Sequence, residues 1–311
     1  MRKLLGFLLL AALLLGGCAA GNTGGDGDKM KVTVSAFPEY DFVRAVAGDL
    51  AEISLLLPPG AEAHSYEPTP QDMARLNACR VFVYGGGESD VWLDRVLDSQ
   101  GREGKTILSL MDCCALREEE VQEHMTVEEE EDEEETEYDE HVWTSPKNAM
   151  AIVKAVRDAL SQADPKNKAA YETNAAAYLE KLEGLDASLR ELVKGAKRKL
   201  LVFGDRFPFL YFVREYGLEY AAAFPGCSSS TDVNPATLAR LIDLTEEEGI
   251  PVVFKVDFSA GKIADTIAEA TGAKVLTLWS AHNVSRDAFQ AGETYLSLWE
   301  KNLAALKEAL Y

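Results

Sequence analysis

The sequence predicts an α/β fold of two similar lobes, each with a mainly parallel sheet, joined by one long rigid helix. Three patterns carry that expectation. Short runs rich in β-branched residues alternate with segments of helical spacing ahead of residue 110 and again beyond residue 198, the rhythm of a sheet covered by helices on both faces. Between the halves, Tyr171, Ala175, Tyr178, Leu182, Leu185, Leu189 and Leu192 keep a three–four spacing, as one face of a long helix requires. Histidine is scarce, and its occurrences fall in connections that follow strands or charged turns, where open α/β sheets gather their ligands.

Taken in order, residues 31–36 alternate and read as a strand, 38–50 as a helix, and 52–57 as a strand closed by Pro58-Pro59-Gly60. A helix over 71–77, a strand over 80–84, a Gly85-Gly86-Gly87 turn and a helix from Asp90 complete the first rhythm. Ser145-Pro146 opens a helix running to residue 160, and Pro165 starts the long one, which ends near Gly195. A helix of that size spans about 45 Å, more than one small domain needs, so it reads as a strut between lobes; a coiled-coil dimer is the competing account of the same stripe. The second half offers strands at 199–203, 220–224, 252–254 and 274–278, helices at 208–216, 234–248 and 261–271, and closing helices over 288–310. The corresponding divisions are 1–17, 18–30, 31–160, 161–197 and 198–311.

The first of these divisions is an export signal. Arg2 and Lys3 precede an apolar run that is too short to span a bilayer. It ends Leu15-Gly16-Gly17-Cys18, which resembles a bacterial lipobox and implies cleavage before Cys18 and lipid attachment to it. Residues 18–30 then form a flexible tether, so the chain is expected outside the cytoplasm, lipid-anchored to the cell membrane. The remaining chain of about 290 residues can hold two cores. Cys79, Cys113, Cys114 and Cys227 match no zinc-ribbon spacing; a disulfide from Cys79 to Cys113 or Cys114 and buried free thiols remain equally open.

Charge is concentrated in one place. Residues 117–140 hold fifteen acids and one arginine, which give −14 of the net −21 and leave −7 for everything else. Nothing supplies the basic stripe that nucleic acid demands. The acidic loop has too little apolar content to fold alone; it is either solvated disorder or a collector of cations. It contains His124 and leads directly into His141. His64 follows a Pro-Pro-Gly turn, Asp205 follows the 199–203 strand, and His282 follows the 274–278 strand. Two of these four fall in each lobe, so an ion held by all of them lies in the interlobe cleft. Three imidazoles and one carboxylate suit tetrahedral Zn2+, whereas Mn2+ prefers more oxygen donors. A fully ligated ion leaves no position for activated water, so binding rather than catalysis is the expected role. His124 is expected to stand apart from the site.

Several segments together resemble the zinc/manganese-type metal-binding lipoproteins, the solute-binding proteins of bacterial ABC importers. They are His64-Ser65-Tyr66-Glu67-Pro68-Thr69-Pro70, His141-Val142-Trp143-Thr144-Ser145-Pro146 after a charged loop, Asp164-Pro165 before the long helix, Tyr211-Phe212 to Tyr216-Gly217-Leu218, and Gly292-Glu293-Thr294-Tyr295 with Asn302-Leu303. The resemblance covers nearly the whole chain after the signal. It implies a monomer that hands its ion to an ABC permease and its ATPase. It also implies that His64 and His141 are that family's first two histidines; the third position, commonly His or Glu, is met here by Asp205, and the fourth, often an acid, by His282. Three rivals stand beside it: a manganese or iron component of the same fold, a zinc hydrolase with Glu67 as general base, and an adhesin with a structural metal. No His-Glu-x-x-His pattern supports the hydrolase.

Overall fold

Local chemistry sets the element boundaries. In the computed structural model, residues 29–62, 66–90, 92–93, 96, 104–126, 137–226, 228 and 232–311 are described; the signal, Cys18, His64 and Cys227 lie outside the described residues. β-Branched and aromatic runs form β1 (Met30–Val34), β2 (Ala51–Leu55), β3 (Val81–Tyr84) and β4 (Thr106–Ser109) in the first lobe. The second lobe contains β5 (Leu200–Arg206), β6 (Glu219–Phe224), β7 (Val252–Val256) and β8 (Lys274–Leu278). Two first-lobe helices start at side-chain caps followed by proline. Thr69 caps α2 (Pro70–Ala78) and Ser145 caps α3 (Pro146–Ala163), each accepting a backbone N–H that the first turn leaves unpaired. α1 spans Phe37–Ala47 and the strut, α4, spans Lys168–Lys194. α5 (Leu210–Tyr216), α6 (Pro235–Glu247), α7 (Lys262–Thr271), α8 (Arg286–Gln290) and α9 (Tyr295–Leu310) belong to the second lobe.

Both sheets are parallel and share one topology, β2-β1-β3-β4 in the first lobe and β6-β5-β7-β8 in the second. Strand order therefore reverses at β1/β3 and again at β5/β7, the crevices where doubly wound sheets take ligands. The expected α/β architecture holds, with two differences. β4 is missing from the sequence reading, because Thr106–Ser109 gives only four residues ahead of the acidic run. The expected helix from Asp90 begins as a short 3-10 turn, Glu88–Asp90; most of residues 91–103 lie outside the described residues.

The strut is 27 residues long, about 40 Å. It buries Tyr171, Ala175, Tyr178, Leu182, Leu185, Leu189 and Val193; the final apolar position is thus Val193, with Leu192 only half-buried, because true helical spacing drifts off the predicted row. Its first half is tied to the N-terminal lobe by Asn174 Nδ2, which donates to Val46 O at 3.0 Å. Its second half is tied to the C-terminal lobe by Asp186, which accepts from Tyr216 OH at 2.8 Å. Between them lies Asp41, 1% exposed. Asp41 Oδ2 accepts Tyr178 OH from the strut and Tyr295 N from the first turn of α9, both at 3.0 Å, and Oδ1 pairs with Arg44. A carboxylate at the α9 N-terminus also meets the positive end of the helix dipole.

The acidic segment is not uniformly solvated. Glu118 and Tyr138 pair as an antiparallel bridge. Gln122 Nε2 donates to Tyr220 O at 3.0 Å, Thr126 N donates to Ala223 O at 2.9 Å, and Glu120 pairs with Arg214. The stretch before residue 127 thus straps onto the C-terminal lobe. Residues 127–136 lie outside the described residues. Cys79, Cys113 and Cys114 are free thiols, and burial pushes Cys113 and Cys114 up to about 11 and about 12. Among the described residues, no helix is long and apolar enough to cross a membrane.

Because Asp41 is a buried anion, removing one of its donors is expected to destabilise the whole frame. Tyr178→Phe should cost about 1.5–3 kcal/mol, read as a lowered urea midpoint with an unchanged m-value.

Candidate metal centre

Three polar residues in a row are buried ahead of α3: Asp139 and Glu140 are 1% exposed and His141 is 2% exposed. Each has a defined partner. Asp139 Oδ1 accepts the His141 backbone N–H at 2.7 Å and lies 3.1 Å from His141 Nδ1. With Nδ1 carrying the proton, that contact orients the ring as in carboxylate–histidine–metal arrangements. Tyr211 OH donates to Asp139 O at 2.8 Å, holding this segment from the second lobe. Burial alone would lower the His141 pKa. The Asp139 carboxylate, by charge and hydrogen bond, with Glu140 and Glu119 behind it, carries it above the ordinary histidine value.

The Glu140 carboxylate accepts Ser89 N at 2.9 Å and Ser89 Oγ at 2.5 Å, and burial raises its pKa. The triple-glycine turn is what admits it. Gly87 has φ +81°, and a Cβ there would stand 2.6 Å from Glu140 Cβ. Only glycine satisfies both the backbone and the space.

His282 sits beyond β8, after Ala281 at φ 60°, a left-handed conformation that costs a non-glycine residue free energy and is retained where the surroundings over-determine it. Its N–H donates to Ser280 Oγ at 3.2 Å and its carbonyl accepts Phe37 N at 3.4 Å. Ser280 N in turn donates to Asp257 Oδ1 at 2.6 Å. Trp143 packs between the lobes: its ring lies 4.9 Å from the His282 ring, and Nε1 donates to Ser280 O at 3.0 Å. The His141 and His282 rings stand 5.5 Å apart at 86°. Donor atoms of Glu140, His141 and His282 all lie within 4.8 Å of one another. Two imidazoles and a carboxylate, one histidine from each lobe, can therefore close on one ion.

The other predicted residues are placed differently. Asp205 does not join this group. It lies inside β5, one residue before its end, rather than two residues past a strand ending at Phe203, and its carboxylate is held by backbone amides: Oδ1 accepts Arg206 N at 2.9 Å and Oδ2 accepts Val256 N at 3.2 Å. His64 lies outside the described residues. The turn leading to it is held from the second lobe, since Asn283 Nδ2 donates to Pro58 O at 3.0 Å and Ala61 O at 2.8 Å. His124 stands apart, on the strap against the second lobe, where its carbonyl accepts Thr237 Oγ1 at 2.6 Å.

Sequence reasoning missed Glu140, Asp139 and Asp257. Glu140 and Asp139 directly precede His141, but fifteen acids in one run disguised the two that are buried. The walls are strongly carboxylate. Burial pushes Asp257 up to about 6. On the first-lobe side of Glu140, burial, reinforced by the neighbouring acids, pushes Glu39 up to about 8 and Asp90 up to about 7. Acids this close cannot all ionise unless a cation compensates them.

Residues 32–309 match the family described as the zinc-uptake complex component A, periplasmic (ZnuA). The chain is 32% identical over 315 residues to the high-affinity zinc uptake system protein ZnuA of Bacillus subtilis, covering 99% of this chain and 98% of that one. It is 34% identical over 302 residues to the zinc-binding lipoprotein AdcA of Streptococcus pneumoniae, covering 96% of this chain but only 59% of AdcA; the chain thus spans little more than half of that longer relative. The crystal structure of the Zn(II)-bound ZnuA-like domain of Streptococcus pneumoniae AdcA superposes with a TM-score of 0.75 at 30% identity, over 91% of this chain and 99% of that one.

If Asp139 orients the His141 ring, Asp139→Asn should weaken transition-metal binding about 10–100-fold while leaving the fold intact. Chelator competition beside circular dichroism would check both.

Proposed function

The chain belongs to the zinc-uptake complex component A family, and from that premise we propose that it captures Zn2+ outside the cytoplasm and delivers it to an ABC permease driven by its ATPase. The observation that carries this reading is the convergence of Glu140, His141 and His282 from two lobes onto a volume the size of one ion. With His64 added from the sequence reading, the set becomes three imidazoles and one carboxylate, a tetrahedral zinc complement. Glu140 takes the place that the sequence reading gave to Asp205. Such a set encloses the ion and leaves no open position for a reacting water, so the role is binding and not turnover. The acidic loop supports capture by raising the local cation concentration. Attachment through Cys18 keeps the protein, a monomer, at the membrane face where its permease would be.

Manganese is the second reading, favoured by one observation: the cleft walls contain Glu39, Asp90, Glu140 and Asp257, and oxygen donors suit Mn2+. The deciding experiment is metal content and competitive titration of the protein beside His141→Ala and His282→Ala. One zinc per chain, displaced by neither manganese nor iron and lost in both variants, is the expected result. Manganese that holds against equimolar zinc would overturn it.

Acid should release the ion, and the sign follows from His141. Its raised pKa means the imidazolium persists to higher pH than in an ordinary histidine, so protons compete with metal earlier as pH falls. Zinc affinity is expected to start falling above pH 6.5, the ordinary histidine value, by about tenfold per pH unit for each proton displaced. In Asp139→Asn that onset should move to lower pH, as isothermal titrations across a pH series would show.

A further inference from the structure

The face of the centre turned away from Glu39 opens into a cavity of about 50 Å³, lined by Ala61, Glu62, His141, Arg206, Phe258 and His282 among others. His141 is 2% exposed, whereas the Arg206 and Glu62 side chains are 25% and 46% exposed. These two charged residues line the same cavity as the histidine and reach solvent. They also come from opposite lobes. Glu62 follows the turn that Asn283 pins, and Arg206 is the last residue of β5. Arg206 Nη2 lies 3.6 Å from Glu62 Oε2, and Nη1 donates to Ser228 O at 3.3 Å.

We propose that Glu62 and Arg206 form an interlobe latch over the metal cleft, one that slows exchange of the bound ion. A lone guanidinium in this cavity would repel a dication bound at His141 and His282. Paired with Glu62 it is neutralised, and the pair bridges the lobes across the cavity that both histidines line. Asp205 gains a role here. By accepting Arg206 N and Val256 N, it fixes the end of β5 from which the guanidinium reaches out. A half-exposed ion pair adds little to folding stability, so its effect is expected in kinetics. The proposal rests on the cleft being a metal site.

The experiment loads the full-length protein with zinc, mixes it rapidly with excess chelator, and follows release in wild type, Glu62→Gln, Arg206→Gln and the charge-swapped double variant E62R/R206E. Both single variants should release zinc about two- to five-fold faster, and the swap should restore the slow rate. Added salt should accelerate the wild type by screening the ion pair and slow Glu62→Gln by screening the repulsion of its lone guanidinium, so that the two rates converge. Arg206→Gln releasing at the wild-type rate or slower would overturn the latch, since the guanidinium would then act only as a repelling charge. A swap that stays fast, in protein that still melts as wild type does, would overturn it equally. Wild type that takes up no zinc would instead refute the metal reading itself.

Discussion

One buried carboxylate organises the frame. Asp41 joins α1, the strut and the start of α9 through Tyr178 OH and Tyr295 N, so elements from both lobes and the helix between them share a single anion. Removing an anion from water is costly unless every lone pair finds a donor, and this one is satisfied from three directions. The arrangement therefore tolerates little relative motion: sliding any one element strands a charge in the core. Tyr295 OH carries the same constraint towards the cleft by donating to Trp143 O at 2.7 Å.

That rigidity reaches the histidines through a short chain of interlobe bonds. Trp143 Nε1 holds Ser280, Ser280 holds the His282 N–H, and the His282 carbonyl takes Phe37 N. Asn283 pins the turn that leads to His64. His141 is oriented by Asp139, and Asp139 by Tyr211 of the other lobe. These bonds hold Glu140, His141 and His282 in place, and in the proposed function such ordering reduces the cost of binding an ion. The same rigidity implies that release depends on disturbing this network, and in the proposed cycle that task falls to acid or to the permease.

Buried acidity is the second organising force. Glu39, Asp90 and Glu140 crowd one wall, with burial raising all three, and Asp257 another. Such a cleft is poised for cations, and Arg206 is the cationic side chain among the described residues that line it. Pairing Arg206 with Glu62 keeps that charge from opposing the ion while using it to bridge the lobes.

Much of this was legible in the residues. Alternating β-branched and helical segments determined two parallel-sheet lobes, since each pattern buries its apolar face in only one way. The Tyr171-to-Leu189 stripe determined the strut, and the rarity of histidine drew attention to His141 and His282. What only the tertiary structure decided concerns burial and direction. Glu140 and Asp139 look like two more acids in a charge run, and nothing local distinguishes a buried carboxylate from a solvated one. Asp205 looks like a loop ligand when the strand is taken to end at Phe203; β5 instead runs on to Arg206, with an irregular pairing between Phe203 and Arg206, the Asp205 carboxylate accepts backbone amides, and Arg206 lines the cleft. Periodicity encodes which face of an element is apolar. Which polar atoms face one another across two lobes depends on how those faces close, and that is settled only when the chain has packed.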